Sequence, residues 1–321
     1  MEMTSSSERE AEYHSTDFDW EQLRQEIENL PSFSYHLSPH TTASSTSDSS
    51  LVEADSWRRF HRRHSTARFF KERRYLLKEF PELLSCHDSV KVIEVGCGNG
   101  STVLPILRAR ESIVVYACDC SEEIIEKAKE IVVTAKSITR KDRFVPFVLD
   151  FSNNEFPEWL FCTSCQNSSS AKSTSTENSH ENEEHINSSI LDGNRCCVGG
   201  VDFVTLIFTL SAVPFNKMRS VIQKCSSVLK PGGLILFRDY GVYDMTMLRF
   251  PPEQKVGFRE YIRSDGTLSY FFSLDVTRDL FCEAGLTEVE LEYCCVRSVN
   301  RRIGKEMRRV WVHGKFQKPV L

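Results

Sequence analysis

Nowhere in its 321 residues does the chain hold an apolar run approaching the roughly twenty that a membrane-spanning helix needs. Nor do the first fifty residues contain the apolar stretch of a secretory leader or the Arg-rich amphipathic face of an organellar one. They open acidic and Ser-rich, so the sequence predicts a soluble intracellular protein, in the cytosol by default with nuclear presence open. Twelve cysteines are many for that compartment, yet Cys97, Cys118, Cys225 and Cys294 sit inside apolar runs, where free thiols behave as small hydrophobes. Finger-like ligand spacing is missing as well. Cys162-x-x-Cys165 is answered only by the adjacent Cys196 and Cys197, an awkward pair of joint ligands, so no metal site is expected.

Sustained periodicity is absent from residues 1–50, apart from Trp20, Leu23, Ile27 and Leu30, which predict a short amphipathic helix stopped by Pro31. The rest of that stretch, with its linker-like SSTSDSS, is expected to be a mobile tail, with order beginning near Trp57. Residues 162–200 form a second polar, low-complexity tract, unable to bury enough surface to fold and expected as a loop insertion. These two stretches hold ten acids against two bases and five against two, so that a chain of net charge −5 has a remainder of net +6. The part expected to fold is basic.

Between Trp57 and Lys78 there are nine Arg or Lys and a single acid, Glu72. Phe69, Tyr75, Leu76, Leu77 and Phe80 supply an apolar side, while Arg68, Lys71, Arg74 and Lys78 fall three or four apart. Residues 51–84 therefore predict a basic helical segment. Arginines interleaved with aromatics suggest a phosphate-contacting surface made by Arg58, Arg62, Arg68, Lys71 and Arg74, the alternative being a solvated face.

From residue 85 onwards strand and helix patterns alternate. Val92, Ile93 and Val95 form an apolar run that breaks at Gly96, Gly98 and Gly100, before a helix containing Val103, Leu104, Ile106 and Leu107. Strand, glycine loop and helix N-terminus together make a cradle for a nucleotide-like ligand. The order G-x-G-x-G differs from the G-x-G-x-x-G of dinucleotide enzymes, and Glu94, two residues before the first glycine, suits a cationic group better than a pyrophosphate. A second run, Ile113 to Cys118, ends at Asp119, twenty-three residues past Gly96, where a doubly wound sheet places the carboxylate that holds ribose hydroxyls. A third, Phe144 to Leu149, ends at Asp150, either an acceptor for an adenine amino group or a helix N-cap. Val201 to Leu210 and Leu234 to Phe237 continue the sheet, and Thr287 to Val296 with Met307 to Phe316 predict a closing hairpin. The whole reads as one α/β doubly wound domain over 85–321, mostly parallel with an antiparallel C-terminal hairpin.

Glu94, the glycine triplet and Asp119 together resemble the S-adenosylmethionine site of class I methyltransferases. Taken with RFFKERRYLLKEF, LIFTLSAVP, LKPGGLILFRDYG, YDMTMLRF, RSDGTLSYFF and VNRRIGKEMRRVWVHGKF, the chain resembles the eukaryotic transfer-RNA 3-methylcytidine methyltransferases from about Trp57 to Phe316, apart from the insertion. It departs from the family at His61, usually Tyr, and at Ser101, commonly Asn. The resemblance implies methyl transfer from S-adenosylmethionine to N3 of a cytidine in a transfer-RNA anticodon loop. It also implies cofactor contacts at Trp57, Gly96, Asp119, Asp150 and Ile207, with Glu94, Gly98 and Gly100 in the loop and His61 at the mouth. Arg249 and Arg263, in the LRF and R-x-D-G-T blocks, and Arg301 and Arg302 join the expected RNA contacts. A partner such as seryl-tRNA synthetase is left open, as is the oligomeric state.

Cytosine N3 carries a free lone pair, so the chemistry asks for orientation, and for a carboxylate to face the charge that appears on the base. Asp239, just past a strand's carboxyl end in Arg238-Asp239-Tyr240, is the candidate; a structural ion pair between Arg238 and Asp239 is the alternative. Tyr240 or Tyr243 could stack on the cytosine or simply pack. Two other functions compete: methylation of a protein or small molecule, and an inactive transfer-RNA-binding subunit of a modification complex.

Overall fold

The computed structural model describes residues 13–39, 50–63, 72–85, 89–162, 164–165, 196–300 and 304–320. In chain order the helices are α1 (Trp20–Glu28), α2 (Ser34–Leu37), α3 (Ser50–Arg63), α4 (Leu76–Glu79), α5 (Glu82–Ser85), α6 (Val103–Ala109), α7 (Glu122–Thr134), α8 (Phe215–Val228) and α9 (Leu274–Cys282). The strands are β1 (Val90–Val95), β2 (Ile113–Asp119), β3 (Phe144–Val148), β4 (Val201–Ile207), β5 (Leu229–Tyr240), β6 (Lys255–Gly257), β7 (Glu260–Ile262), β8 (Leu268–Tyr270), β9 (Thr287–Asn300) and β10 (Lys305–Gln317). Seven of these strands form one sheet in the order β3-β2-β1-β4-β5-β10-β9, and β6, β7 and β8 form a small second one. The first five run parallel, while β10 and β9 are antiparallel, as the closing hairpin predicts.

Strand alternation sends successive side chains to opposite faces, and each face carries its own core. Val90 and Val92 of β1, Val115 and Ala117 of β2, and Phe203 and Ile207 of β4 pack with Ile106 of α6, Ile125 of α7, and Leu76 and Phe80 of the basic segment. Ile93 and Val95, Tyr116 and Cys118, and Val204 and Leu206 point the other way, onto Met218, Val221 and Ile222 of α8 and Phe281 of α9. Helices thus cover both faces of a largely parallel sheet, and the strand order reverses between β1 and β4. A ligand crevice belongs at the carboxyl ends beside such a reversal.

Three expectations are corrected. In the described part of the stretch expected as a tail over 1–50, residues 13–39, α1 forms as its periodicity predicts, with an Asp19 carboxylate capping Gln22 N–H, and packs into the domain by burying Leu23 and Ile27 against Val242, Met247 and Phe271; residues 1–12 and 40–49 lie outside the described residues. Ahead of it, residues 15–17 bond to the outer edge of β9 through Cys295, covering a sheet edge that would otherwise stay unpaired. The basic segment is also not one long helix. Residues 72 and 73 are irregular and 74 and 75 form a turn before the four-residue α4, so Arg74 and Lys78 do not share a helical face, and Arg73 is turned inward. Lastly, the four cysteines flanking the insertion, set aside as metal ligands for their spacing, are brought together: all four sulfurs lie within 4.8 Å of one another.

Candidate active site

The glycine loop follows β1 because no side chain fits there. Gly96, Gly98 and Gly100 have φ of +70°, +52° and +79°, and a Cβ on Gly96 would stand 2.5 Å from Cγ2 of Thr209. Thr209 in turn donates its hydroxyl to Val95 O at 2.9 Å, fixing the end of β4 against the end of β1. Asp119 closes β2 beside this loop, its Oδ2 accepting from Gly98 N–H at 3.1 Å and its Oδ1 from Ser121 N–H at 3.2 Å. Ser121 stands at the N-cap position of α7, yet its side chain makes no capping bond there.

Gly96, Gly98, Asp119 and Thr209 line one cavity of about 880 Å³. Trp57, Phe60 and His61 of α3 form one wall, with His61 Nε2 lying 3.6 Å from Asp119 Oδ1. Asp150 follows β3, its Oδ1 taking the Ser152 N–H and hydroxyl and its Oδ2 the Asn153 amide, so it organises its own turn at the rim. Ile207, Phe208 and Thr209 continue from β4, Tyr240 from β5, and Arg263 and Asp265 from the loop between β7 and β8. Phe208 holds φ of +56°, strained for a bulky side chain and tolerated here where its ring meets Tyr240 at 5.1 Å with the Arg73 guanidinium over it. Among the described residues, the buried indole N–H groups of Trp57 and Trp311, both lining the cavity, find no hydrogen-bond acceptor. The rings of Trp57, Phe60, Phe208 and Trp311 give the cavity aromatic walls that suit a flat heterocycle. Together with the glycine cradle and Asp119, they fit an adenosine with a charged tail.

Of the expected cofactor residues, Trp57, His61, Gly96, Gly98, Asp119, Asp150 and Ile207 line the cavity. Gly100 supports the turn behind it. Glu94 lies beneath the loop, 1% exposed, where burial pushes its pKa up to about 8 against the lowering effect of Arg73 and Thr102.

Arg238 and Asp239 are corrected. Neither lines the cavity, and they are not paired, because neighbours on a strand face opposite ways. Arg238 goes to the α4 face, where it pairs with Glu79 and lies over the Tyr75 and Trp311 rings; Glu79 also meets His313 Nδ1 at 3.1 Å. Asp239 goes to the other face, fully buried, accepting from Ser211 N–H and Tyr240 N–H at 2.9 Å each. Of the expected trio only Tyr240 faces the ligand space. Tyr243 donates to Glu28 and packs on Trp20 instead.

The residues missed are Arg73, Phe208, Asp265, Arg309 and Trp311. Arg73 donates to Thr102 Oγ1 at 3.1 Å and to Ile207 O at 3.3 Å, a role hidden inside a charge run. Trp311 arrives because β10 sets it opposite Tyr240, a register that no local pattern announces. Among the expected RNA contacts, Arg58, Arg62, Arg74 and Arg249 are exposed and Arg263 lines the cavity, while Arg68, Lys71, Arg301 and Arg302 lie outside the described residues.

Comparison with known proteins agrees with this geometry. Residues 61–291 match the family described as "Methyltransferase domain". The tRNA N(3)-cytidine methyltransferase METTL6 of Homo sapiens is 36% identical over 82% of this chain and 79% of its own length. The tRNA N(3)-methylcytidine methyltransferase Mettl2 of Drosophila melanogaster is 34% identical over 82% and 71%. Among solved structures, a 1,6-didemethyltoxoflavin-N1-methyltransferase of Burkholderia thailandensis, determined with S-adenosylhomocysteine, shares the fold with a TM-score of 0.51 at 11% identity, covering 88% of this chain and 94% of that one. By fold, cofactor site and sequence, the chain belongs to the S-adenosylmethionine-dependent tRNA N(3)-cytidine methyltransferase family.

Proposed function

We propose that this protein methylates N3 of a cytidine in the anticodon loop of transfer RNA. One observation carries the reading: on α3, Trp57 and His61 face the cavity while Arg58 and Arg62, each one residue on, face solvent. A single helix thereby joins the cofactor wall to a cationic surface suited to phosphates.

S-adenosylmethionine, when bound, supplies the methyl on a positively charged sulfur. The chain's own residues have to hold a base in line with it. N3 lies on the Watson–Crick edge, so the cytidine must be splayed out of any pairing, and aromatic faces accept such a base. Phe208, Tyr240 and Trp311 supply those faces. No proton has to leave neutral cytosine, so positioning provides most of the acceleration. Charge then appears on the base, and Asp265 takes the place expected for Asp239. Burial opposes its ionisation, but hydrogen bonds from Thr267 and the Arg263 charge hold its pKa below the ordinary carboxylate value. Asp265→Asn is expected to lower kcat by about tenfold to a hundredfold while leaving cofactor affinity within about twofold.

Incubation with labelled cofactor and either transfer RNA or total protein, followed by nucleoside mass spectrometry, tests the reading. 3-Methylcytidine is the expected product; label in protein alone overturns it. Repeating the assay with and without seryl-tRNA synthetase separates a self-sufficient enzyme from one that works with that partner.

A further inference from the structure

Four thiols stand at the neck of the insertion. Cys162 and Cys165 precede it and Cys196 and Cys197 end it, with the Cys196 sulfur 3.5 Å from that of Cys162 and 3.3 Å from that of Cys165. All four sulfurs lie within 4.8 Å of one another. Thiolates held ~2.3 Å from a tetrahedral zinc ion sit ~3.8 Å apart, inside the observed spread. A disulfide would need about 2.05 Å and would join only two of them, whereas Cys196 stands almost equally close to two partners.

We propose that Cys162, Cys165, Cys196 and Cys197 bind one zinc ion as a structural clasp at the base of the insertion.

The surrounding backbone supports a preformed site. Val198 N–H donates to Trp159 O at 2.7 Å and Gly200 N–H to Leu160 O at 2.9 Å, so the two limbs are tied side by side immediately inside the cysteines. Gly199, at φ +79°, turns the chain so that its N–H donates to Cys197 Sγ at 3.3 Å, the kind of outer contact that orients a metal-binding sulfur. The sulfurs of adjacent Cys196 and Cys197 both reach the cluster, as joint ligation requires. Four protein ligands leave no open position, the mark of a structural site. The location agrees: the cluster adjoins Val201 at the start of β4, whereas the cavity lies beyond Ile207 at its end.

The test uses the full chain, produced in zinc-supplemented medium and dialysed under reductant against metal-free buffer. Elemental analysis is expected to give about one zinc per chain, and cobalt exchange to give thiolate charge-transfer and tetrahedral absorption bands. The Cys162→Ser, Cys165→Ser double variant should retain less than about a tenth of the metal and melt at least about 5 °C lower, while Cys282→Ser, at an exposed cysteine elsewhere, should match wild type. If the double variant does not fold, the wild type still decides: with zinc bound the four cysteines should resist iodoacetamide until a chelator is added. A metal-free protein whose four thiols alkylate at once, or whose Cys196 is found in a disulfide, overturns the proposal. So does loss of cofactor affinity on zinc removal at constant fold, which would move the metal to the active site.

Discussion

Asp119 reaches the cavity already oriented by Gly98 and Ser121, so in the proposed role of holding ribose hydroxyls its carboxylate would not first have to be ordered. Asp119→Ala should weaken cofactor binding by roughly 30- to 100-fold, equivalent to about 2–3 kcal/mol for lost charge-assisted hydrogen bonds, and calorimetry on the folded variant measures it. Unchanged affinity would remove the residue from the site. Glu94 acts by linkage. Without ligand its carboxyl keeps a proton up to about pH 8, because burial disfavours the charge. A cationic ligand favours the ionised form and lowers that pKa, so binding releases a proton in the window below about 8. Affinity should therefore rise with pH to about 8 and then level off, and the slope should vanish in Glu94→Gln. A slope that persists in the variant would point to another group.

At the scale of elements, the amino-terminal helices are integral to the fold. Leu23 is 1% exposed among aromatic and aliphatic neighbours, so Leu23→Ala should cost about 2–4 kcal/mol in denaturant unfolding while sparing cofactor affinity, since α1 contributes nothing to the cavity. The next helix adds an acid sensitivity. His36 of α2 is buried with Nδ1 2.7 Å from the Tyr261 hydroxyl, and burial, with the nearby Lys255 charge, lowers its pKa from 6.5 to about 4. The unfolded chain therefore binds the proton first as pH falls. The stability linked to this histidine is complete above pH 6.5, declines between 6.5 and about 4, and is gone below the folded value. His36→Gln should flatten the urea midpoint across that window; an equal slope in both proteins would assign it elsewhere. The parts legible beforehand were the local ones: a glycine loop between strand and helix, acids at strand ends, and the apolar stripe of α1. Arg73, Asp265 and Trp311 were hidden because they reach the cavity through a turn, a loop and a distant register. For Arg238 and Asp239 part of the signal was available, since period-two alternation sends strand neighbours to opposite faces and so already spoke against the ion pair held as the alternative, while the burial of Asp239 under Ser211 depends on tertiary packing.

At the scale of the whole molecule, charge is segregated: acids crowd residues 1–50 and 162–200, while the basic remainder includes the helix that walls the cofactor cavity. Arg58 and Arg62 are exposed there, with the weak surface partners Asp55 and Glu123 and a 3.3 Å hydrogen bond from Arg58 Nε to Cys120 O, so reversing both should cost the fold about 1 kcal/mol per residue or less. If they contact phosphates, each contact releases counterions, and binding weakens with salt in proportion to the number of contacts. The Arg58→Glu, Arg62→Glu double variant should then raise the KM for transfer RNA by about tenfold or more and reduce the slope of log affinity against log salt by about 1 to 2. Cofactor affinity should stay within about twofold, because Trp57 and His61, the α3 side chains that line the cavity with Phe60, are unchanged. A large loss of cofactor affinity with an unchanged salt slope would make α3 a lid over the cavity and return its arginines to a solvated face. A reduced slope with intact cofactor binding is the result that couples RNA capture to the methyl donor through one helix.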